Sequence, residues 1–238
     1  IFVGYPLDGQ FTVSRCEQAV AQARTTCQPQ TLWFIGPQIP PNLAAICQDR
    51  ESDIYYRLDL PATVKSAPRR AVRSASAMLR LNVGHAFTQE HQALTDELMK
   101  RQALAQQPLP PIIEALYRAM PAYLARTPSA SVLEARCKSG ALAAFYVVEE
   151  AAPAFDTYVL GAYSRRTYVP YASDMLFAVM IQRAQARGKS ALNLGLGVND
   201  GIRRFKEKWG GVPYLAYEAC ECRFGGPLVT DLLSELKL

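Results

Sequence analysis

From Val132 to Tyr163 the chain offers three strand-like runs in direct succession: Val132 to Cys137, Leu142 to Glu149 and Thr157 to Tyr163. A Ser139-Gly140 turn joins the first two. Strands linked this closely pair antiparallel, because a parallel return needs a crossover of about a dozen residues or more. The segment that follows constrains the fold further. Met175 to Ile181 is apolar all round, so the helix it forms is buried against that sheet. A strand (Ala191 to Leu196) comes next, then a glycine-flanked turn and a helix from Asp200 to Trp209. Gly210-Gly211 ends the helix and Tyr214 to Arg223 forms the last strand. Ile202, Phe205 and Trp209 share one stripe of the short helix, which is expected to face inward. Ser173 is expected to cap the buried helix at its start, and Gly188 to close it in the left-handed conformation.

The first 60 residues alternate strand and helix: Phe2 to Tyr5, Arg15 to Thr26, Thr31 to Ile35, Pro41 to Arg50 and Asp53 to Leu60. Alternation of this kind implies α/β packing. A basic segment containing Lys65, Arg69, Arg70 and Arg73 leads into a helix through Met78. Thr88 is expected to cap a further helix, Gln89 to Ala105.

Composition excludes several classes of protein. With 238 residues, 50% of them apolar and 20% charged, the chain can bury a core and is not expected to be disordered. The longest unbroken apolar run, Ala141 to Val148, is far short of the ~20 residues a bilayer crossing needs, and no charged-then-apolar leader opens the sequence. A chain without a membrane span, located in the cytoplasm, is therefore expected. The six cysteines include no C-x-x-C pair, which favours reduced thiols. Cys220 and Cys222 share one face of a strand, but a zinc site built on them lacks its second pair of ligands, so no metal is expected. His85 and His91 are the only histidines and neither has a catalytic-looking context, which argues against Ser-His-Asp hydrolases and His-rich metalloenzymes. The net charge of +5 favours anionic partners, as do the clusters at Arg165-Arg166 and at Arg203, Arg204, Lys206 and Lys208.

The order of elements after Val132, together with the segment Asn199-Asp-Gly-Ile202-Arg-Arg-Phe205-Lys206-Glu-Lys-Trp209-Gly210, resembles the catalytic half of the GNAT acyltransferases. At equal spacing that family has an Asn, a small residue, a Tyr seven on and a Gly eleven on. Lys206 stands at the Tyr position, where coenzyme-A-dependent members commonly place the acid that protonates the departing thiolate. The family's pyrophosphate-binding glycine motif would lie between the third strand and the buried helix. Here that place reads Ser164-Arg-Arg-Thr-Tyr-Val-Pro-Tyr-Ala-Ser173, without a glycine. Both departures, with the Phe-Lys followed by an aromatic residue and Gly-Gly, look like the Fem-type branch. Its members are similar to two GNAT lobes in tandem, and some take an aminoacyl group from a charged tRNA.

The resemblance implies an α/β (α+β) fold with a mixed central sheet of GNAT type. Residues 1–64 would form a partial first lobe and residues 65–238 a complete acyltransferase lobe. It implies an N-acyltransferase that moves an acyl or aminoacyl group from a tRNA or carrier donor to an amine. The alternatives are an acyl-coenzyme-A-dependent N-acetyltransferase and a catalytically idle GNAT-like binding module. No cofactor is expected to be bound permanently. The donor (acyl-tRNA, acyl carrier or acyl-CoA) would act as co-substrate, and the oligomeric state is left open.

Lys206 is the expected catalytic residue, stabilising the oxyanion or protonating the leaving group. Substrate contacts are expected from Tyr163, Ser164, Arg165, Arg166, Tyr168 and Ser173 around the buried helix's start, and from Asn193, Asn199 and Arg203. By the resemblance, the strands Thr157 to Tyr163 and Ala191 to Leu196 splay apart to leave backbone groups for the acyl donor.

Overall fold

A computed structural model describes residues 1–6, 9–106, 109 and 111–224. In chain order its elements are β1 (Phe2–Val3), α1 (Val13–Cys27), β2 (Thr31–Gly36), α2 (Pro41–Ala44), β3 (Cys47–Asp59), α3 (Ser66–Ser76), β4 (Leu79–Gly84), α4 (Gln89–Leu104), α5 (Pro111–Arg126), β5 (Ala130–Cys137), β6 (Leu142–Glu149), β7 (Phe155–Tyr163), α6 (Ala172–Ala186), β8 (Ala191–Leu196), α7 (Asp200–Lys208) and β9 (Val212–Arg223). The fold is mixed α/β, with both parallel and antiparallel strand pairs. No helix among the described residues is long and apolar enough to cross a membrane.

The chain forms two compact units. The first comprises Ile1–Tyr55, Leu196–Val198 and the described residues from Pro213 on. Within it β1 pairs parallel with β2, and β2 pairs antiparallel with β9 in a register that sets Leu32 opposite Cys222 and Phe34 opposite Cys220. Cys16 and Val20 of α1, Leu32 and Phe34 of β2, Leu43 of α2, and Cys220 and Cys222 of β9 make its core. The sequence's last strand therefore shares a unit with its first residues, a division that does not follow the boundary expected at residue 64. Pro41 starts a helix, as expected, but that helix ends at Ala44 and β3 begins at Cys47. The polar run Gln48 to Ser52 is exposed strand, because pairing beside β9 outweighs the weak strand preference of those residues.

The second unit comprises Tyr56–Gly195 and Asn199–Val212. Its strands lie in the order β8-β7-β6-β5-β4, with β4 to β7 antiparallel and β8 parallel to β7. Both faces of β6 are covered, which explains its unbroken apolar sequence. On one face Leu94 of α4 and Tyr117, Met120 and Leu124 of α5 meet Val132, Phe145, Val147 and Leu160. α6 packs on β5, β6 and β7 through a buried surface that includes Leu176, Met180 and Ala184. Gly140 (φ +91°) makes the β5–β6 turn, and Gly188 (φ +72°) follows α6 as expected.

Ser173 does not cap α6. The helix starts at Ala172, two residues earlier than a Ser173 cap would set it, the cap position is Tyr171 in the left-handed conformation (φ +65°), and Ser173 already lies inside the first turn. The expected inward stripe of α7 is also rotated. Ile202 is 37% exposed, whereas Lys206 (6%) and Trp209 (2%) are buried. Lys206 lies about 40° round the helix from Ile202, on the edge of the expected stripe, so its burial agrees with helical periodicity.

Candidate active site

β7 and β8 pair only at Phe155↔Ala191, Asp156↔Leu192 and Thr157↔Asn193. Beyond Thr157 β7 runs on to Tyr163 with no further rung to β8 among the described residues, so the two strands part as the GNAT resemblance implies. Asn193 sits at the point of parting, where its Oδ1 accepts the N–H of Gly195 at 2.9 Å. Gly195 adopts φ +72°, open to glycine without steric cost, and this turns its carbonyl toward α7.

Lys206 reaches that carbonyl. Its Nζ donates to Gly195 O at 3.1 Å and lies 5.4 Å from the centroid of the Tyr56 ring, so the ammonium rests over an aromatic face in a buried position. Tyr56 is fixed in turn by donating to Glu207 Oε1 at 3.2 Å. Asn199 caps α7 by accepting the N–H of Ile202 at 3.0 Å. At the other end Gly211 N–H donates to Lys206 O at 2.9 Å. A β-carbon on Gly211 would stand 2.8 Å from Leu194 Cδ1 and 3.0 Å from Lys206 O, so a larger residue would have to displace the Leu194 side chain and crowd that carbonyl. α7 is tied to the start of α6 by Asp174, whose Oδ1 accepts Trp209 Nε1 at 3.0 Å and pairs with Lys208 Nζ at 2.5 Å.

The loop between β7 and α6 carries the second group of expected residues. Ser164 is buried, and Tyr163, Ser164, Arg165, Tyr168, Tyr171 and Phe205 help line a cleft of about 250 Å³. Tyr163 lies between two guanidinium groups, with Arg101 4.6 Å and Arg165 5.6 Å from its ring centroid. Ser173 contributes its carbonyl oxygen, which accepts the Tyr146 hydroxyl at 3.1 Å. Arg203 sits apart from this loop on α7, with Nη1 3.9 Å from Asp200.

The loop already holds an anion. Glu97 of α4 accepts the Ser164 hydroxyl at 2.9 Å and the N–H of Arg165, and Arg166 Nε lies 3.6 Å from it. Burial works to raise the Glu97 carboxyl, but these donors hold it below the usual carboxylate range. A carboxylate of the chain itself thus takes the donors of the β7–α6 loop. Beside it, Asp96, Glu97, Lys100, Arg101, Arg165 and Arg166 line a cleft of about 530 Å³. Nη1 of Arg101 is buried and meets no hydrogen-bond acceptor among the described residues.

By sequence, no family model and no curated protein matches the chain. Solved structures do. FemX matches with a TM-score of 0.56 at 11% identity, over 87% of this chain and 76% of that one. A tandem GNAT protein from the clavulanic acid biosynthesis pathway matches with a TM-score of 0.55 at 14% identity, over 92% and 73%. The fold is GNAT-like. The L-PGS from Bacillus licheniformis shares it, with a TM-score of 0.56 at 17% identity over 92% of this chain and 76% of that one. Within this GNAT fold, Lys206 and Asn193 lie where β7 and β8 part, while Tyr163 to Tyr168 form the β7–α6 loop. Glu97 and Tyr56 are tens of residues from Ser164 and Lys206, as Asp174 is from Trp209, and carry no motif.

Proposed function

We propose that the protein is a Fem-like N-acyltransferase that moves an acyl or aminoacyl group from a tRNA or carrier donor to an amine in the cytoplasm. The observation that carries this reading is the buried ammonium of Lys206 beside Gly195, at the point where β7 and β8 separate. An ester or thioester carbonyl entering there would be polarised by backbone donors and by Lys206. The amine attacks the carbonyl carbon, negative charge collects on oxygen, and a fixed cation in a dry site favours that charge more in the transition state than in the ground state. As the tetrahedral intermediate collapses, the bond to the donor's oxygen or sulfur breaks, Lys206 gives the departing group a proton, and the proton shed by the attacking amine nitrogen restores the lysine ammonium.

The β7–α6 loop supports a donor other than coenzyme A. It has no glycine, and Glu97 already takes its Ser164 and Arg165 donors. The neighbouring cleft, with four cations and an unsatisfied Arg101 donor, fits the phosphates of a nucleic-acid or carrier donor. Single-turnover assays with labelled aminoacyl-tRNA and with labelled acetyl-coenzyme A, each with and without a primary amine, test the proposal. Amine-dependent transfer from the tRNA alone is expected. Transfer from acetyl-coenzyme A alone would replace this reading with the coenzyme-dependent one.

A further inference from the structure

We propose that Cys47, Cys220 and Cys222 form a three-thiolate site for a soft cation, Zn²⁺ or Cu⁺, in the reduced protein. The sequence shows only the Cys220-Cys222 pair on one face of β9. The first unit adds Cys47, 173 residues away from Cys220, at the start of β3. The three sulfurs lie within 4.8 Å of one another, with Cys222 Sγ 3.5 Å from that of Cys47 and 3.7 Å from that of Cys220. A cation with ~2.3 Å bonds to sulfur sets its ligands roughly 3.8–4.0 Å apart, close to the two spacings that Cys222 makes; Cys47 and Cys220, bonded to each other here, would separate to make the third. Cys220 and Cys222 are fully buried among Val20, Leu32, Phe34 and Leu43, a shell that excludes competing oxygen ligands. Thiolates in such a shell select soft cations over Mg²⁺ or Ca²⁺.

Charge is compensated within the same unit. Arg24 of α1 and Arg50 of β3 belong to it. Three thiols that bind Zn²⁺ release three protons and leave one net negative charge, which the two guanidinium groups offset. With Cu⁺ the site carries two negative charges.

Cys47 and Cys220 are joined as a disulfide in this structure, where the sequence favours reduced thiols. Metal binding and that bridge exclude each other, because each needs the same sulfur electrons. Opening the bridge takes two electrons and two protons and yields two thiols beside the third, Cys222. The site is therefore a metal site when reduced and closed to metal when oxidised.

The test uses the whole protein, reduced with a phosphine that is then removed without air. Co²⁺, Zn²⁺ and Cu⁺ are added in separate arms. One metal per chain is expected, with thiolate-to-metal charge-transfer absorption in the Co²⁺ arm; competition between Zn²⁺ and Cu⁺ identifies the preferred ion. Cys222→Ser and Cys47→Ser should each lose affinity by more than the ~10–100-fold that a mere supporting contact gives. The exposed Cys27→Ser should bind as the parent does. Melting curves of each reduced, metal-free variant verify folding, and protection of the three thiols from alkylation by Zn²⁺ in the unmutated protein gives a readout independent of any variant. Absence of charge-transfer absorption, equal binding by Cys222→Ser, or equal binding by the oxidised protein would each overturn the proposal.

Discussion

Lys208 Nζ lies 2.5 Å from Asp174 Oδ1. The pair joins the end of α7 to the first turn of α6, and Trp209 Nε1 donates to the same carboxylate oxygen. Removal of one partner from a fully buried pair costs ~3–5 kcal/mol. Lys208 is 38% exposed, so solvent screens the loss, and Lys208→Ala is expected to cost about 1–2 kcal/mol. Urea unfolding of Lys208→Ala, Asp174→Asn and the double variant measures the coupling. If the double variant shows the simple sum of the single losses, the pair has no coupling of its own.

Glu97→Gln should act in two places at once. The native carboxyl titrates below its unfolded value of 4.5, so its contribution to stability is fully present above that pH and is lost as pH falls through the lower folded value. The variant should lack that part of the acid-induced fall in melting temperature. Loss of a negative charge among Lys100, Arg101, Arg165 and Arg166 should also tighten tRNA binding at low salt. The opposite change, Arg165→Ala with Arg166→Ala, should weaken binding and flatten its salt dependence. Equal affinity of all three proteins at low salt would remove the loop from the donor site.

Much of the second unit is legible in sequence because its signals are local. The Ser139-Gly140 turn, the apolar β6 and the Gly188 stop each act within a few residues and appear where expected. The misplaced features depend on distant partners. Where the Lys206 ammonium comes to rest is decided by Gly195 and Tyr56; the α6 start is the exception, set beside the helix by the left-handed Tyr171. The length of β3 follows from its neighbour β9 rather than from its polar residues. Asn199 caps α7 through a partner three residues on, whereas Glu97 and Cys47 have no local signal that links them to Ser164 or to Cys220.

His91 gives a pH effect in a separate window. Its Nδ1 accepts the N–H of Thr88 at 3.0 Å, which leaves the ring proton on Nε2, 3.1 Å from Glu134 Oε1. The ring is fully buried, and burial lowers its pKa below 6.5 although Glu134 opposes the shift. The unfolded chain therefore takes up the proton first. Stability is fully present above pH 6.5 and falls as pH drops toward the lower folded value. His91→Gln keeps an acceptor for Thr88 but does not titrate, so its melting temperature should change less than the parent's between pH 7 and 5. Parallel curves would assign the acid sensitivity to other groups.

Lys206→Met should lower single-turnover transfer by ~10²–10³ while the fold persists, because an unbranched apolar side chain fills the same buried position and only the ammonium is removed. The lost bond to Gly195 O is expected to cost about 1 kcal/mol in stability. The control cannot be Lys208, whose partner is the buried Asp174. Arg204, exposed on the same helix, serves instead, and Arg204→Ala should change stability by no more than about 0.5 kcal/mol. Rates and melting temperatures for the two variants separate chemistry from packing. If Lys206→Met loses stability but transfers at the rate of Arg204→Ala, the ammonium serves only to hold Gly195 and Tyr56 in place, and the acyl group must be activated by backbone donors alone.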